Sequence, residues 1–142
     1  MQKTNTNVTQ VYWSQLEELM CPTKEKSQTL AGFDEEFVDI VDYIIRITHR
    51  IWEQKNVGLC YQYYSEICPV FMLGGYCESV EQVVQNTLKT IAAFPDRCLI
   101  GENIIWREED DNTYYSSHLI TSIMTNTGTS EFGPTTNKTG RV

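Results

Sequence analysis

The chain has 142 residues, of which 41% are apolar and 21% are charged, and its formal net charge is −8. This length and composition are typical of one folded domain with a hydrophobic core. The acidic balance argues against a nucleic acid or an anionic membrane as partner, because both attract basic surfaces. No apolar run reaches the roughly 18 residues of a membrane-spanning helix, and the polar start of the chain lacks a secretory signal, so we expect a cytoplasmic protein.

Residues 1–32 are predicted to be an N-terminal extension, either a strap lying on the domain or an arm that binds a partner. Its apolar residues, from Val11 to Met20, have the spacing of a short amphipathic helix. Pro22, Gly32 and the polar residues between them then break that pattern. The domain itself is expected to cover residues 33–142.

Three helices are predicted in this domain. The longest is expected over residues 34–55, because Asp34 is a suitable N-cap and isoleucines follow at helical spacing. A short aromatic helix follows, and the third helix opens at Ser79, with Gln82 completing a capping box, and stops before Pro95. The positions expected to be buried are Ile44, Ile47, Ile51, Val84, Leu88, Ile91, Ile104 and Trp106.

The predicted strands form two hairpins. Residues 67–73 and the residues after Gly74-Gly75 form the first, and the β-branched and aromatic residues of 98–128 form the longer second one. The acidic residues 108–111, with Asn112, are expected to be its solvated turn.

Five cysteines are present, with no CxxC pair, and the two histidines supply no short-spaced partner. This pattern favours free thiols in a reducing cytoplasm and predicts no metal site. No glycine-rich phosphate loop, nucleophile elbow or zinc motif occurs, so no cofactor is expected.

Glu102 and His118 are the candidate acid–base groups. Glu102 is a carboxylate among apolar residues on one arm of the long hairpin, and His118 lies on the other arm. A three-residue turn would place both on one face of the sheet, whereas a two-residue turn would place them on opposite faces. The alternative is that each is an ordinary paired or hydrogen-bonded residue.

Aromatic residues suggest a pocket for a small apolar molecule. Trp52, Tyr61, Tyr64 and Trp106 have the size and flatness to line such a pocket, although an ordinary aromatic core is an equally good interpretation.

The order of these elements, the turn Phe94-Pro95-Asp96 and the late pattern TNTG, GP and TGR resemble the SnoaL-like branch of the nuclear-transport-factor-2-like superfamily. This branch is often labelled polyketide cyclase or ester cyclase. The resemblance, which covers roughly residues 33–142, implies an α+β cone with three helices packed on a curved, mostly antiparallel sheet. It also implies a substrate pocket to which Asn126 would belong.

The resemblance implies cofactor-free acid–base chemistry, such as cyclisation, isomerisation, dehydration or hydrolysis of a small apolar carbonyl compound. The alternative is a non-catalytic ligand-binding or dimer-scaffold module, since one fold hosts many functions. Polyketide cyclases of this branch usually have an arginine where Leu119 stands and a histidine where Asn126 stands. Their last strands and their acidic group would lie beyond residue 142, so the sheet is expected to be completed by a homodimer partner or another chain segment.

Overall fold

A computed structural model describes residues 7–10, as backbone, and residues 25–72, 75–109 and 113–142. Within these ranges the protein is α+β, with three α-helices and antiparallel sheets. The predicted helix within residues 11–20 lies outside the described residues, as does the centre of the acidic turn at 110–112. The elements in chain order are β1 (Asn7–Gln10), α1 (Ile40–Thr48, continued by a π-helical turn His49–Glu53), α2 (Leu59–Tyr63), β2 (Ile67–Met72), β3 (Gly75–Ser79), α3 (Val80–Ala93), β4 (Cys98–Glu109), β5 (Thr113–Thr125) and β6 (Thr139–Arg141).

The main sheet has the strand order β1-β4-β5-β6, and β2 and β3 form a separate hairpin. Strand β1 comes from the predicted extension and pairs antiparallel with β4, so that Asn7 lies opposite Trp106 and Gln10 opposite Asn103. Strand β6 pairs antiparallel with the end of β5. Residues 7–10, within the predicted extension, therefore take part in the sheet through their backbone.

The first helix begins later than predicted. The carbonyl of Asp34 accepts the Phe37 N–H in a turn, and the Asp39 side chain accepts the Asp42 N–H at 2.7 Å, which satisfies one donor that a helix start leaves free. The helix therefore starts at Ile40, and the longest α-helix is α3, with 14 residues. The helical run ends where Lys55 adopts a left-handed backbone, with φ of 61°.

The chain divides into two compact units, and the division passes through α1, β4 and β5. The first consists of residues 1–46 and 100–121, and its core includes Phe37, Ile40 and Ile44. The second consists of residues 47–99 and 122–142, and its buried side chains include Ile51 and Val83. The predicted boundary near residue 32 remains a prediction.

Helix α3 does not fully bury the three positions that were expected in the core. Leu88 is 52% exposed, and Val84 and Ile91 are only half-buried. Thr87 and Thr90 are buried instead, because their hydroxyls donate to backbone carbonyls one turn earlier in the helix and so need no outside partner. Of the other positions expected in the core, Ile44, Ile47, Ile51 and Ile104 are buried, and Trp106 is half-buried.

In the part of the chain that the structure describes, no helix is long and apolar enough to cross a membrane.

Candidate functional site

The register of the long hairpin near its turn follows from side-chain contacts. The Tyr114 hydroxyl donates to Glu108 at 3.1 Å, and the Arg107 guanidinium lies over the Tyr115 ring at 4.9 Å. Both contacts fit a pairing of residue 109 with residue 113, which is the three-residue alternative of the sequence analysis.

Further along the hairpin this register is interrupted. The Thr121 hydroxyl donates to Glu102 at 2.5 Å, which places these two residues on the same face of the sheet. An unbroken register would have placed Ile120 opposite Glu102. The register at Glu102 is therefore shifted by one residue from the register near the turn, and such a shift indicates an irregularity in the pairing of β4 with β5.

Glu102 and His118 are not brought into contact. The His118 Nε2 atom is hydrogen-bonded to the Ser116 hydroxyl at 3.0 Å, whereas Glu102 is bonded to Thr121. Within the described residues the two groups share no hydrogen bond and no ion pair. His118 is surface-exposed, yet desolvation by the surrounding protein lowers the pKa of its imidazole. Each residue is therefore a single titratable group with a hydroxyl partner.

The aromatic residues expected in the pocket differ in their burial. Trp52 is buried and meets Tyr64 edge-on at 6.5 Å between ring centroids, whereas Tyr61 is 60% exposed. Trp106 is half-buried and packs near Tyr114 at 6.1 Å. Trp52, Tyr61, Tyr64 and Asn126 belong to the second unit, and Glu102, Trp106 and His118 belong to the first.

Asn126 organises a loop. Its side-chain oxygen accepts the Thr136 N–H at 2.8 Å, and its amide nitrogen donates to the Gly128 carbonyl at 3.3 Å. Gly128 itself runs so close to α3 that an added Cβ would lie 1.6 Å from the Ala92 carbonyl oxygen. The TNTG pattern thus has a packing explanation: the loop needs an amide to bridge it and a residue without a side chain beside the helix.

A cluster that the sequence analysis did not identify joins the end of α1 to the start of β4. The Glu53 carboxylate contacts the His49 imidazole through one oxygen and accepts the Leu99 N–H at 2.6 Å through the other. His49 is only 7% exposed, so this imidazole–carboxylate pair lies in the interior of the second unit. The four-residue spacing of His49 and Glu53 on a helix could have indicated their contact from the sequence. The contact between Glu53 and Leu99 spans 46 positions and leaves no pattern in the sequence.

Two titratable groups near this cluster, Cys98 and Lys55, have shifted pKa values. Desolvation, and then the negative charge of Glu53, raise the pKa of the neighbouring Cys98 thiol. Desolvation lowers the pKa of the Lys55 ammonium group, which donates to the Trp52 carbonyl at 2.7 Å. Perturbed titratable groups that meet in one place are a feature of functional sites, and also of structural ion-pair networks.

Strand β5 has an unusual composition. Its 13 residues include no Asp, Glu, Lys or Arg, in a chain that is 21% charged. Tyr115 and Leu119 are 51% and 54% exposed, and Ile105 on the neighbouring strand is 40% exposed. Among the described residues, only 137–142 pair with the outer edge of β5 and with Asn126 just after it, where they meet residues 122–126. The backbone edge from Thr113 to Thr121 has no described strand beside it.

The described cysteines are free thiols: Cys60 and Cys77 are buried, Cys68 is half-buried and Cys98 is exposed. Within the described ranges, no group of three His, Cys, Asp or Glu side chains is placed to hold a metal ion.

No protein-family profile matches the chain, and no curated protein and no solved structure matches it. The SnoaL-like resemblance therefore stays a prediction made from the residues.

Proposed function

We propose that this protein is a non-catalytic assembly module with the nuclear-transport-factor-2-like cone, and that it works as a homodimer. The α+β composition with antiparallel sheets is compatible with that cone. Glu102 and His118 are each hydrogen-bonded to a separate hydroxyl partner and not to each other, which gives the cyclase interpretation no direct support.

The observation that carries the proposal is strand β5. A solvated strand normally carries charged residues, and the core of a protein interface is depleted of them and enriched in aromatic residues. Thirteen residues without a formal charge, with Tyr115 and Leu119 about half exposed, have the composition of an interface.

Two chains with a net charge of −8 repel one another, so a contact between copies is least opposed at a surface on which that charge is absent. The described part of β5 is such a surface, and it meets the same uncharged surface on a second copy when the dimer is two-fold symmetric.

Sedimentation equilibrium of the 142-residue protein over a range of concentrations tests this proposal. We expect a reversible dimer. A single species with the mass of one chain at every concentration would overturn the proposal.

A second candidate function is acid–base chemistry on a small apolar carbonyl compound. In this case His49 and Glu53 take the role that was predicted for Glu102 and His118. The observation that favours it is the buried imidazole–carboxylate contact, next to the exposed Cys98 thiol. In this arrangement Glu53 orients the imidazole, and His49 takes a proton from the carbon beside the carbonyl group.

Exchange of such carbon-bound protons for deuterium, followed by NMR on a panel of small ketones and esters, tests the second candidate. We expect His49→Gln to abolish exchange catalysed by the protein, and His118→Gln to leave it unchanged. Absence of exchange with the unaltered protein, or equal exchange by His49→Gln, would exclude it.

The proposal includes a cytoplasmic location for the protein. Cys60 and Cys77 are buried as free thiols, which suits a compartment in which thiols stay reduced.

A further inference from the structure

We propose that Arg97, with Lys55 beside it, forms a binding site for the carboxylate group of a small molecule. Both residues belong to the second unit, as does Ser122, to which the Arg97 guanidinium is hydrogen-bonded. The inference goes beyond both candidate functions, since neither assigns a role to these three residues.

The Arg97 guanidinium is fixed from one side by a hydroxyl group. Its Nε and Nη2 atoms donate to the Ser122 Oγ atom at 3.2 and 3.0 Å. Ser122 is only 5% exposed, so this acceptor lies in the interior of the second unit. A guanidinium carries five N–H donors, and in the described part of the chain no acceptor is bonded to the other three. Arg97 is therefore oriented by the protein and still has donors for a ligand.

The positive charge of Arg97 has no counter-charge among the described residues. None of their ion pairs includes Arg97, although the chain has 19 Asp and Glu residues against 11 Lys and Arg. Arg46 and Arg107, by contrast, are each paired with a carboxylate. Arg97 is half-buried, and desolvation lowers the pKa of its guanidinium. A bound carboxylate would supply the charge that compensates for this loss of water.

The unused donors of Arg97 can be reached from solvent. Among the described residues, no buried side-chain nitrogen or oxygen lacks a hydrogen-bond partner. The Nη1 atom of Arg97 has no such partner there, so it is not a buried atom. A ligand can therefore bond to this nitrogen without breaking the contact with Ser122.

Lys55 brings a second positive charge to the same place. Glu53 accepts the Leu99 N–H at 2.6 Å, which holds the end of the helical run against the start of β4, two residues after Arg97. Desolvation is the main cause of the lowered pKa of Lys55, and the positive charge of Arg97 lowers it further. The Lys55 ammonium donates to the Trp52 carbonyl at 2.7 Å, and two of its three N–H donors have no acceptor in the described ranges.

The surroundings favour a ligand with a single negative charge. Glu53 and Asp96 both lie near enough to act on Lys55 through their own negative charges, and the chain has a net charge of −8. These charges repel a doubly charged phosphate more strongly than a singly charged carboxylate. A planar carboxylate also matches the fork of guanidinium donors, which can bond to its two oxygens in parallel. The ligand class is therefore a small monocarboxylate.

An NMR titration of the complete, ¹⁵N-labelled chain with sodium benzoate tests this site. Sodium chloride is replaced stepwise by the benzoate, so that the ionic strength stays constant. We expect saturable shifts of the Arg97 Nε–H and Ser122 N–H signals. Benzamide has the same ring without the charge and should cause no such shifts, and phosphate should bind more weakly than benzoate.

Substitution of the two cations tests the assignment of residues. Arg97→Gln should weaken benzoate binding at least about tenfold, because it removes both the charge and the fork of donors. Lys55→Gln should weaken it less, since Lys55 contributes a charge without the fork. Arg107→Gln is the matched control: it removes the same charge from an arginine already paired with Glu109, and should leave the dissociation constant within about twofold.

Chemical modification tests the site without any substitution, in case Arg97→Gln does not fold. Phenylglyoxal modifies arginine side chains, and peptide mass spectrometry measures the rate at each of them. We expect benzoate to slow the modification of Arg97 in the unaltered protein and to leave that of Arg107 unchanged.

The opposite results would overturn the inference. They are the absence of saturable shifts at Arg97, equal shifts with benzamide, or equal modification of Arg97 with and without benzoate. Equal weakening by Arg97→Gln and Arg107→Gln would show a general attraction of anions in place of a site. Tighter binding of phosphate than of benzoate would overturn the assignment to carboxylates.

Discussion

Arg46 is a buried charged residue with several bonding partners. Its guanidinium is bonded to both Asp42 oxygens, at 2.9 and 2.6 Å, and to the Glu36 carboxylate at 3.1 Å. It also lies over the Phe37 ring at 4.8 Å, and the arginine side chain is only 3% exposed. A buried charge of this kind specifies the packing of its neighbours, because it is tolerated only in the geometry that satisfies it.

We predict that Arg46→Ala lowers the free energy of unfolding by about 3–5 kcal/mol, since it leaves the Asp42 carboxylate buried without its partner. Urea denaturation monitored by circular dichroism measures this loss. Lys89→Ala is the matched control, because it breaks a half-exposed ion pair with Glu131 and should cost no more than about 1 kcal/mol. Equal losses for the two variants would show that the Arg46 contacts do not contribute.

The thiols form a second prediction at the residue scale. Burial raises the pKa of Cys60 to about 11, and Cys98 is exposed although its pKa is also raised. Because the thiolate is the reactive form, a chromogenic disulfide should modify Cys98 before Cys60, and faster as the pH rises. We expect Cys98→Ser to remove one equivalent from the fast phase of native protein. An unchanged fast phase would contradict the exposure of Cys98.

At the scale of elements, the burial of residues on α3 does not follow their size. Val83 is fully buried and Leu88 is 52% exposed, although leucine is the larger apolar residue. We predict that Val83→Ala destabilises the protein by about 2 kcal/mol, from lost burial and the cavity that remains. Leu88→Ala should change stability by less than about 0.5 kcal/mol. Thermal unfolding of the two variants checks this order, and the reverse order would show that Leu88 contributes to the core as the sequence analysis expected.

The loop after β5 supplies a prediction for a single backbone position. A methyl group on Gly128 would overlap the Ala92 carbonyl, which is backbone and cannot rotate away. We expect Gly128→Ala to cost about 2 kcal/mol or more, because the loop must leave the helix and give up the Gly128 N–H bond to Ala93.

Gly133→Ala is the contrasting change in the same loop, because it meets open space and is strained only by its positive φ of 114°. Denaturant titration of both variants measures the two costs. A smaller loss for Gly128→Ala than for Gly133→Ala would show that the close approach to α3 is unimportant.

At the scale of the whole molecule, the net charge of −8 opposes self-association. If the contact is the uncharged β5, salt should screen the repulsion without weakening any attraction. We therefore predict that the dimer dissociation constant falls several-fold when the ionic strength rises from about 20 to about 200 mM. Light scattering at the two salt concentrations measures it. A weaker dimer in salt would indicate an interface held by opposite charges.

The two long strands differ in how the described residues cover their outer edges. Strand β1 covers the β4 edge from Asn103 to Trp106, whereas no described strand lies beside residues 113–121 of β5. The pairing of residues 7–10 with β4 was not foreseen, because a four-residue segment with Val8 as its one apolar residue carries no strand pattern strong enough to predict it.

Much of the secondary structure was determined by the local sequence. The capping box at Ser79, the short helix and the two hairpins depend on residues within a few positions of one another, and these elements were predicted near their observed bounds. Tertiary contacts decided the rest. The start of α1 moved to Ile40 because Asp39, and not Asp34, caps it, and the buried face of α3 includes threonines that satisfy their own hydroxyls.

The candidate site shows the same division. The sequence alone determined that residues 113–125 include no Asp, Glu, Lys or Arg, that the chain is acidic, and that Glu102 and His118 lie on the two arms of the predicted hairpin. Only the tertiary structure decided which groups meet. A one-residue irregularity between the turn and Glu102 altered the expected pairing, and Leu99, 46 positions away, completes the contacts of Glu53. The physical reason is that a side-chain pattern repeats over neighbouring residues, whereas strand register and long-range contacts depend on the sum of many packing interactions across the fold.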